Sequence, residues 1–223
     1  MPTDQPIPSV LPSQPTAERT LTTAALLGAV MFLVAAAVGF LAAGCFAGRD
    51  LSSGQAIVLS LIGFGMLLLQ SFGGERFRIG SFAIGWLFAV ALVIGLGLGP
   101  VLRSYANADS AAVTQAAAVT ALVVAAMGAG GLAIDRDLAG WLRPLTYAIF
   151  GVLLASLLLV LLGSGGSPLI SIAIGGISAV LILVDFNYLR QHGTEDDVVV
   201  LATGIFVSIV NIFLSLLNLF SQD

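Results

Sequence analysis

Seven stretches of this chain are apolar over about the length a bilayer demands, and almost every charge lies between them. The runs cover 21–46, 55–72, 80–102, 111–134, 141–162, 167–191 and 197–220. A helix needs about 20 apolar residues to cross a hydrocarbon core. The breaks hold Arg49 and Asp50; Glu75, Arg76 and Arg78; Arg103 and Asp109; Asp135, Arg136 and Asp137; and the polar stretch 190–197. The break at 163–166 carries no charge, but Gly, Ser and the following Pro168 have the composition of a turn. Only 9% of the residues are charged, against about 25% in soluble domains. With a mean hydropathy of +1.07, the chain reads as an all-α integral membrane protein, a seven-transmembrane-helix bundle.

Residues 1–18 contain five of the eight prolines, with Ser, Thr and Gln. Such a segment buries too little apolar area to offset its ordering entropy, so it is expected to be a disordered cytoplasmic tail ahead of a membrane domain at 19–223. It is not expected to be a signal peptide, because no positive stretch opens it and the first apolar run is too long.

Seven spans put Arg19, Arg76, Arg78, Arg136, Arg143 and Arg190 on one side and Arg49 and Arg103 on the other. Cytoplasmic loops collect arginine, which predicts a cytoplasmic N-terminus and an external C-terminus. Trp141 and Tyr188 then fall near the inner interface. Asp137 is a candidate cap for the fifth helix, Gly193 a closing residue for the sixth, and Thr194 with Asp197 a capping box opening the seventh. Pro100 is expected to end or kink the third helix. The glycine strings at 95–99, 128–131 and 175–176 suit close helix packing.

Several function classes have no support. The net charge is −4 with no lysine, so there is no basic patch for nucleic acid. Cys45 is the lone cysteine, which precludes an intramolecular disulfide or a cysteine-based metal site. There is no P-loop and no H-E-x-x-H, and the glycine strings lie inside apolar helices. No histidine lies in a predicted span; His192 is expected in an exposed loop. The chain is therefore not expected to be an enzyme, or to hold a cofactor.

Asp185 is the exception to the charge pattern. It sits eight residues before Gly193, about 12 Å inside the end of the sixth helix. A carboxylate there costs about 2.5–3.5 kcal/mol on the insertion scale, and it lies at the unfavourable end of the helix dipole. A cationic partner, a water-filled vestibule or protonation would offset this; alternatively, the helix emerges early and Asp185 meets interfacial water. Arg76, Arg78 and Arg190 are the candidate ion-pair partners. The seventh helix carries Ser208, Asn211 and Ser215 on one face, with Thr203 nearby, a stripe expected to face the bundle. Its simpler reading is interhelical hydrogen bonding. Glu195, Asp196 and Asp197 are expected to form a solvated cap.

The stretch "VDFNYL", then "TEDD", then "SIVNIFLSLLNLF" resembles the C-terminal signature of the Bax inhibitor-1 family. "GLGLGPVL" at 95–102 is similar to the motif closing that family's third helix, and "DRDLAGW" at 135–141 to the loop before its fifth. The resemblance implies a bundle with helix 7 at its centre. It also implies a calcium leak gated by protons at an aspartate pair, of which Asp185 is the first. Where the family has the second aspartate, this chain has Ser208; Asn211 matches the family's asparagine, and Val184 replaces a tyrosine. Two close carboxylates share a proton and can switch near neutral pH. A lone aspartate beside a serine lacks that like-charge coupling, and offers Ca²⁺ few of the roughly 6–8 oxygens it prefers.

The expectation is a passive, pH-influenced cation leak with Ca²⁺ as the candidate ion. Its path would be lined by Asp185, Ser208 and Asn211, with Asp185 the only candidate metal contact and with weakened pH gating. The rival is a non-transporting regulator that binds a membrane protease or stress-response partner. The lipid bilayer is the certain neighbour, and the Gly- and Ala-rich, lysine-free composition points to a bacterial plasma membrane.

Overall fold

A computed structural model describes residues 22–162 and 167–221. The proline-rich tail at 1–18 and the turn at 163–166 lie outside the described residues. Seven helices follow the apolar runs closely: α1 Thr23–Gly48, α2 Ser53–Phe72, α3 Gly80–Ala108, α4 Ser110–Ala133, α5 Leu142–Leu161, α6 Pro168–His192 and α7 Val198–Phe220. All seven are long and apolar enough to cross a membrane. Large apolar side chains such as Phe32, Leu122 and Phe72 point outward, as they must where the surrounding solvent is lipid.

Local chemistry sets the helix ends. Ser52 and Gln55 form a reciprocal capping box on α2, and Asp109 accepts from the N–H groups of Ala111 and Ala112 at the start of α4. Asp137 does not cap α5 itself: it accepts from Ala139 N–H at 2.8 Å, one residue ahead of Leu138, the N-cap of the short 3₁₀ turn that leads into α5. The Asp197 carboxylate accepts from both the N–H and the hydroxyl of Thr194, as the capping pattern predicts, and a 3₁₀ turn carries the chain into α7. Gly193 closes α6 with φ −58°, so it serves without a left-handed conformation.

Pro100 does not end α3, which continues to Ala108. Membrane helices tolerate proline because neighbouring helices and local adjustment re-satisfy the freed backbone group.

The central element is α7. In its most apolar window 61% of residues are buried, against 39% for α3 and α6 and 6% for α5. It packs against α6, α4, α1 and α3. Phe206 and Ile205 from α7 join Leu87, Ile182, Leu189 and Val30 in one buried cluster, and Leu217 is fully buried further along α7.

Glycines set the closest helix approaches. A Cβ on Gly95 would stand 3.0 Å from the Gly44 Cα, and one on Gly99 2.6 Å from the Gly48 carbonyl carbon. Thus Gly44-x₃-Gly48 of α1 and Gly95-x₃-Gly99 of α3 lie backbone to backbone in parallel. Gly131 of α4 does the same against α6, where its Cβ would meet the Phe186 Cβ at 2.9 Å.

Candidate functional site

Asp185 projects from α6 into the bundle and is 7% exposed. The reading in which it meets interfacial water does not hold. Its carboxylate rests on Gly204 of α7, where a Cβ would stand 3.1 Å from Oδ2. A glycine on the central helix therefore makes the space for the carboxylate. Among the described contacts, no hydrogen bond or ion pair reaches it.

Below this point a polar seam runs between α6 and α7. Ser208, Asn211 and Ser215 are all buried, on the face their spacing predicts. Ser171 donates to the Asn218 side-chain oxygen at 3.1 Å, and Gly175 packs on Ser215, where its Cβ would lie 3.2 Å from the serine Cβ. These contacts and Asp185 on Gly204 define an antiparallel register that brings Ser178 level with Asn211. Ser178 Oγ and Asn211 Nδ2 are both buried without a hydrogen-bond partner. Buried polar groups left unpaired are costly, and in a polar seam they mark places a water can occupy. From Asp185 to Ser171 is 14 residues, about 21 Å of helix.

On the next face of α7, Thr203 donates its hydroxyl to the Val199 carbonyl and accepts from Gln70 of α2 at 2.8 Å. With that proton committed, Gln70 must be the donor, and its own oxygen is left buried and unpaired. The sequence reading passed over Gln70. The missed signal was an amide near the end of an otherwise apolar run.

The three arginines go elsewhere. Arg190 pairs with Asp135 at 3.1 Å and donates to the Ile134 carbonyl. The Arg76 guanidinium lies over the Phe82 ring at 4.7 Å. No described hydrogen bond or ion pair involves Arg78. The expected pairing of any of them with Asp185 is therefore absent among the described contacts. The i, i+5 spacing carries Arg190 off the face that bears Asp185, and the α4–α5 loop supplies a nearer acid.

Asn187, two residues past Asp185, is fully buried and was not singled out from sequence. Its amide donates to the carbonyls of Gly131, Ile134 and Arg136, and its oxygen accepts from Leu138 N–H at 2.9 Å. It closes the C-terminal end of α4 and holds the α4–α5 loop on α6. Gln191 adds bonds to Asp135 and Arg136 carbonyls. His192 is exposed as expected, but it is the last residue of α6 and not part of a loop, and its Nε2 lies 3.0 Å from an Asp137 carboxylate oxygen. The Ala139 N–H, and then His192, hold the Asp137 carboxyl below the usual range.

Among the described residues, no three His, Cys, Asp or Glu side chains gather to hold a metal. Asp185 is thus a single charged contact with neutral oxygens from Ser208 and Asn211 further along. That set falls short of the six or more oxygens of a resident Ca²⁺ cage.

The model of a family described as "Inhibitor of apoptosis-promoting Bax1" matches residues 17–223. An uncharacterized protein of Pseudomonas aeruginosa is 29% identical over 170 residues, 74% of this chain and 73% of that one. An uncharacterized protein of Helicobacter pylori J99 is 31% identical over 137 residues, 60% of this chain and 58% of the relative's length. An uncharacterized membrane protein of Streptococcus pyogenes is 30% identical over 141 residues, 60% of each.

Proposed function

Because the chain belongs to the Bax inhibitor-1 family, we propose that this integral membrane protein is a passive, channel-like leak for cations, with Ca²⁺ as the candidate ion. The observation that carries this reading is the buried carboxylate of Asp185, set on Gly204 of the central helix at the head of a polar seam. A carboxylate in an apolar bundle is costly, and neither a cation nor a hydrogen-bond donor offsets it among the described contacts. A passing cation would. Ser208, Asn211 and the Ser178 hydroxyl would supply neutral oxygens along the path. No bond is made or broken in this scheme. The protein would sit in a bacterial plasma membrane with its arginine-rich end in the cytoplasm, in keeping with its bacterial relatives and the arginine distribution. With Ser208 in place of a second aspartate, its response to pH would be weaker than that of a shared-proton pair.

Reconstitution in liposomes with an entrapped calcium dye tests the proposal. The parent should release or admit Ca²⁺ faster than empty vesicles. Asp185→Asn should slow it about tenfold, the weight of roughly 1.4 kcal/mol of lost ion stabilisation. Parent vesicles no leakier than empty ones would end the transport reading. The lone carboxylate favours one other function, a regulator that binds a membrane protease or stress-response protein. A stoichiometric partner co-purifying with a flux-inactive protein would select it.

A further inference from the structure

The arginine-poor end of the bundle carries Arg49 and Arg103, its only arginines among the described residues, and both converge on one feature. Asp50 accepts from the Arg49 Nε–H at 3.3 Å and from an Arg103 Nη1–H. The acid holds the two guanidiniums together yet neutralises only one charge. A guanidinium has five N–H donors, and each here commits one to Asp50 in the described contacts. Both side chains are about half exposed, at 48% and 51%. The remaining donors are thus gathered, oriented and open.

Directly beside them lies a groove of about 480 Å³ with Phe46, Leu102, Ala106 and Val113 among its apolar lining. The Phe46 ring is 68% exposed and lies under the Arg49 guanidinium, 4.2 Å from the ring centre. The groove is therefore apolar along the helices and cationic at its rim. It sits where α1 ends at Gly48: Phe46 lies about 4.5 Å deeper along α1 than Arg49, while Leu102, Ala106 and Val113 lie level with Arg103 or nearer the end of the bundle. At the opposite end, Arg190 pairs with Asp135 and a carbonyl, and Arg76 lies on Phe82 with no described acid joining it to a second arginine. No comparable pair of organised arginines exists there among the described residues.

We propose that this groove binds an anionic phospholipid, its phosphate on Arg49 and Arg103 and the start of an acyl chain on the exposed Phe46 ring, with Leu102 and Val113 flanking the headgroup. A soluble phosphate would leave the apolar wall unused, and a neutral lipid would leave the surplus positive charge unmatched. The proposal stands apart from the leak reading, since it involves neither Asp185 nor the α6–α7 seam.

The test uses the full chain in detergent, titrated with phosphatidylglycerol or phosphatidylcholine and followed by thermal unfolding and native mass spectrometry. Phosphatidylglycerol should raise the unfolding temperature and remain bound, and phosphatidylcholine should do neither. Arg49→Gln/Arg103→Gln should weaken phosphatidylglycerol about fivefold per arginine. Arg76→Gln/Arg78→Gln should leave it unchanged. If the first double variant does not fold, the single variants Arg49→Gln and Arg103→Gln decide the matter: each should weaken phosphatidylglycerol about fivefold. Unchanged affinity in these groove variants overturns the proposal. So does equal stabilisation by soluble glycerol phosphate, which would mean an anion site with no lipid.

Discussion

Two helix seams in this molecule use small residues to opposite ends. Between α1 and α3, Gly44 and Gly48 face Gly95 and Gly99, and the backbones touch with no side chain between them. Between α6 and α7, Gly175 and Gly204 face a serine and a carboxylate, and buried polar atoms remain unpaired along the line. In lipid there is little hydrophobic gain from joining two helices, so close van der Waals contact has to hold them. The α1–α3 seam spends its glycines on that contact. The α6–α7 seam spends them on room for polar groups. A glycine in a membrane helix is thus either a joint or a vacancy, and the group opposite decides which.

The sharpest way to break this comparison is to add bulk to the joint. Gly99→Val should force α1 from α3 and cost at least about 3 kcal/mol, the upper range for overpacking. Unfolding in detergent measures it, and a near-parental stability would show that the seam is not a close-packed joint. Next in size is Asn187→Leu. It leaves the Leu138 N–H and the α4 C-terminal carbonyls without their partner, at about 1–3 kcal/mol for each buried group that water cannot reach. Hydrogen exchange should rise first in the α4–α5 loop; protection unchanged there would remove Asn187 from its assigned role.

The matching change at the vacancy should cost less stability and more function. In Gly204→Ala the new methyl would stand 3.1 Å from the Asp185 carboxylate, which can yield by a few tenths of an ångström. The expected destabilisation is about 1 kcal/mol or less, within the range for seam contacts in membranes, with a clear change in cation flux. A loss as large as that of Gly99→Val would erase the distinction between the seams.

The smallest effect concerns Asp137. Its carboxyl is held below the usual range by Ala139 N–H and by His192, so its contribution is complete above the ordinary aspartate value of about 3.9. It is lost as pH falls through the lowered value. His192→Ala should narrow that acid-side loss, read as exchange of the α4–α5 loop amides below pH 4 or so. A pH profile identical to the parent's would count against the pair.

Much of the fold could be read from the chain because lipid imposes a simple rule on sequence. Charges confined to breaks mark helix ends, and caps such as Thr194 with Asp197 refine them. Of the two readings of Pro100, an end or a kink, α3 overturns the end, because in a membrane bundle neighbouring groups can compensate the lost bond. The site was half legible. Asp185 stood out by its cost, and the burial of Ser208, Asn211 and Ser215 followed from their spacing. Gly204 was invisible, since nothing marks one glycine among many as the one facing a carboxylate. Asn187 was passed over for the same reason: its partners are carbonyls some 50 residues away, which every residue possesses.

The order of letters alone settled the class of protein, the number of spans and which residues would be expensive to bury. Those properties follow from transfer free energies, which each side chain carries wherever it sits. The partner of each costly group was left to the three-dimensional arrangement: Arg190 to Asp135, Gln70 to Thr203, and Asp185 to the bare backbone of Gly204. Pairing depends on distances of a few ångströms between elements remote in the chain, and only the packing of helix on helix sets those.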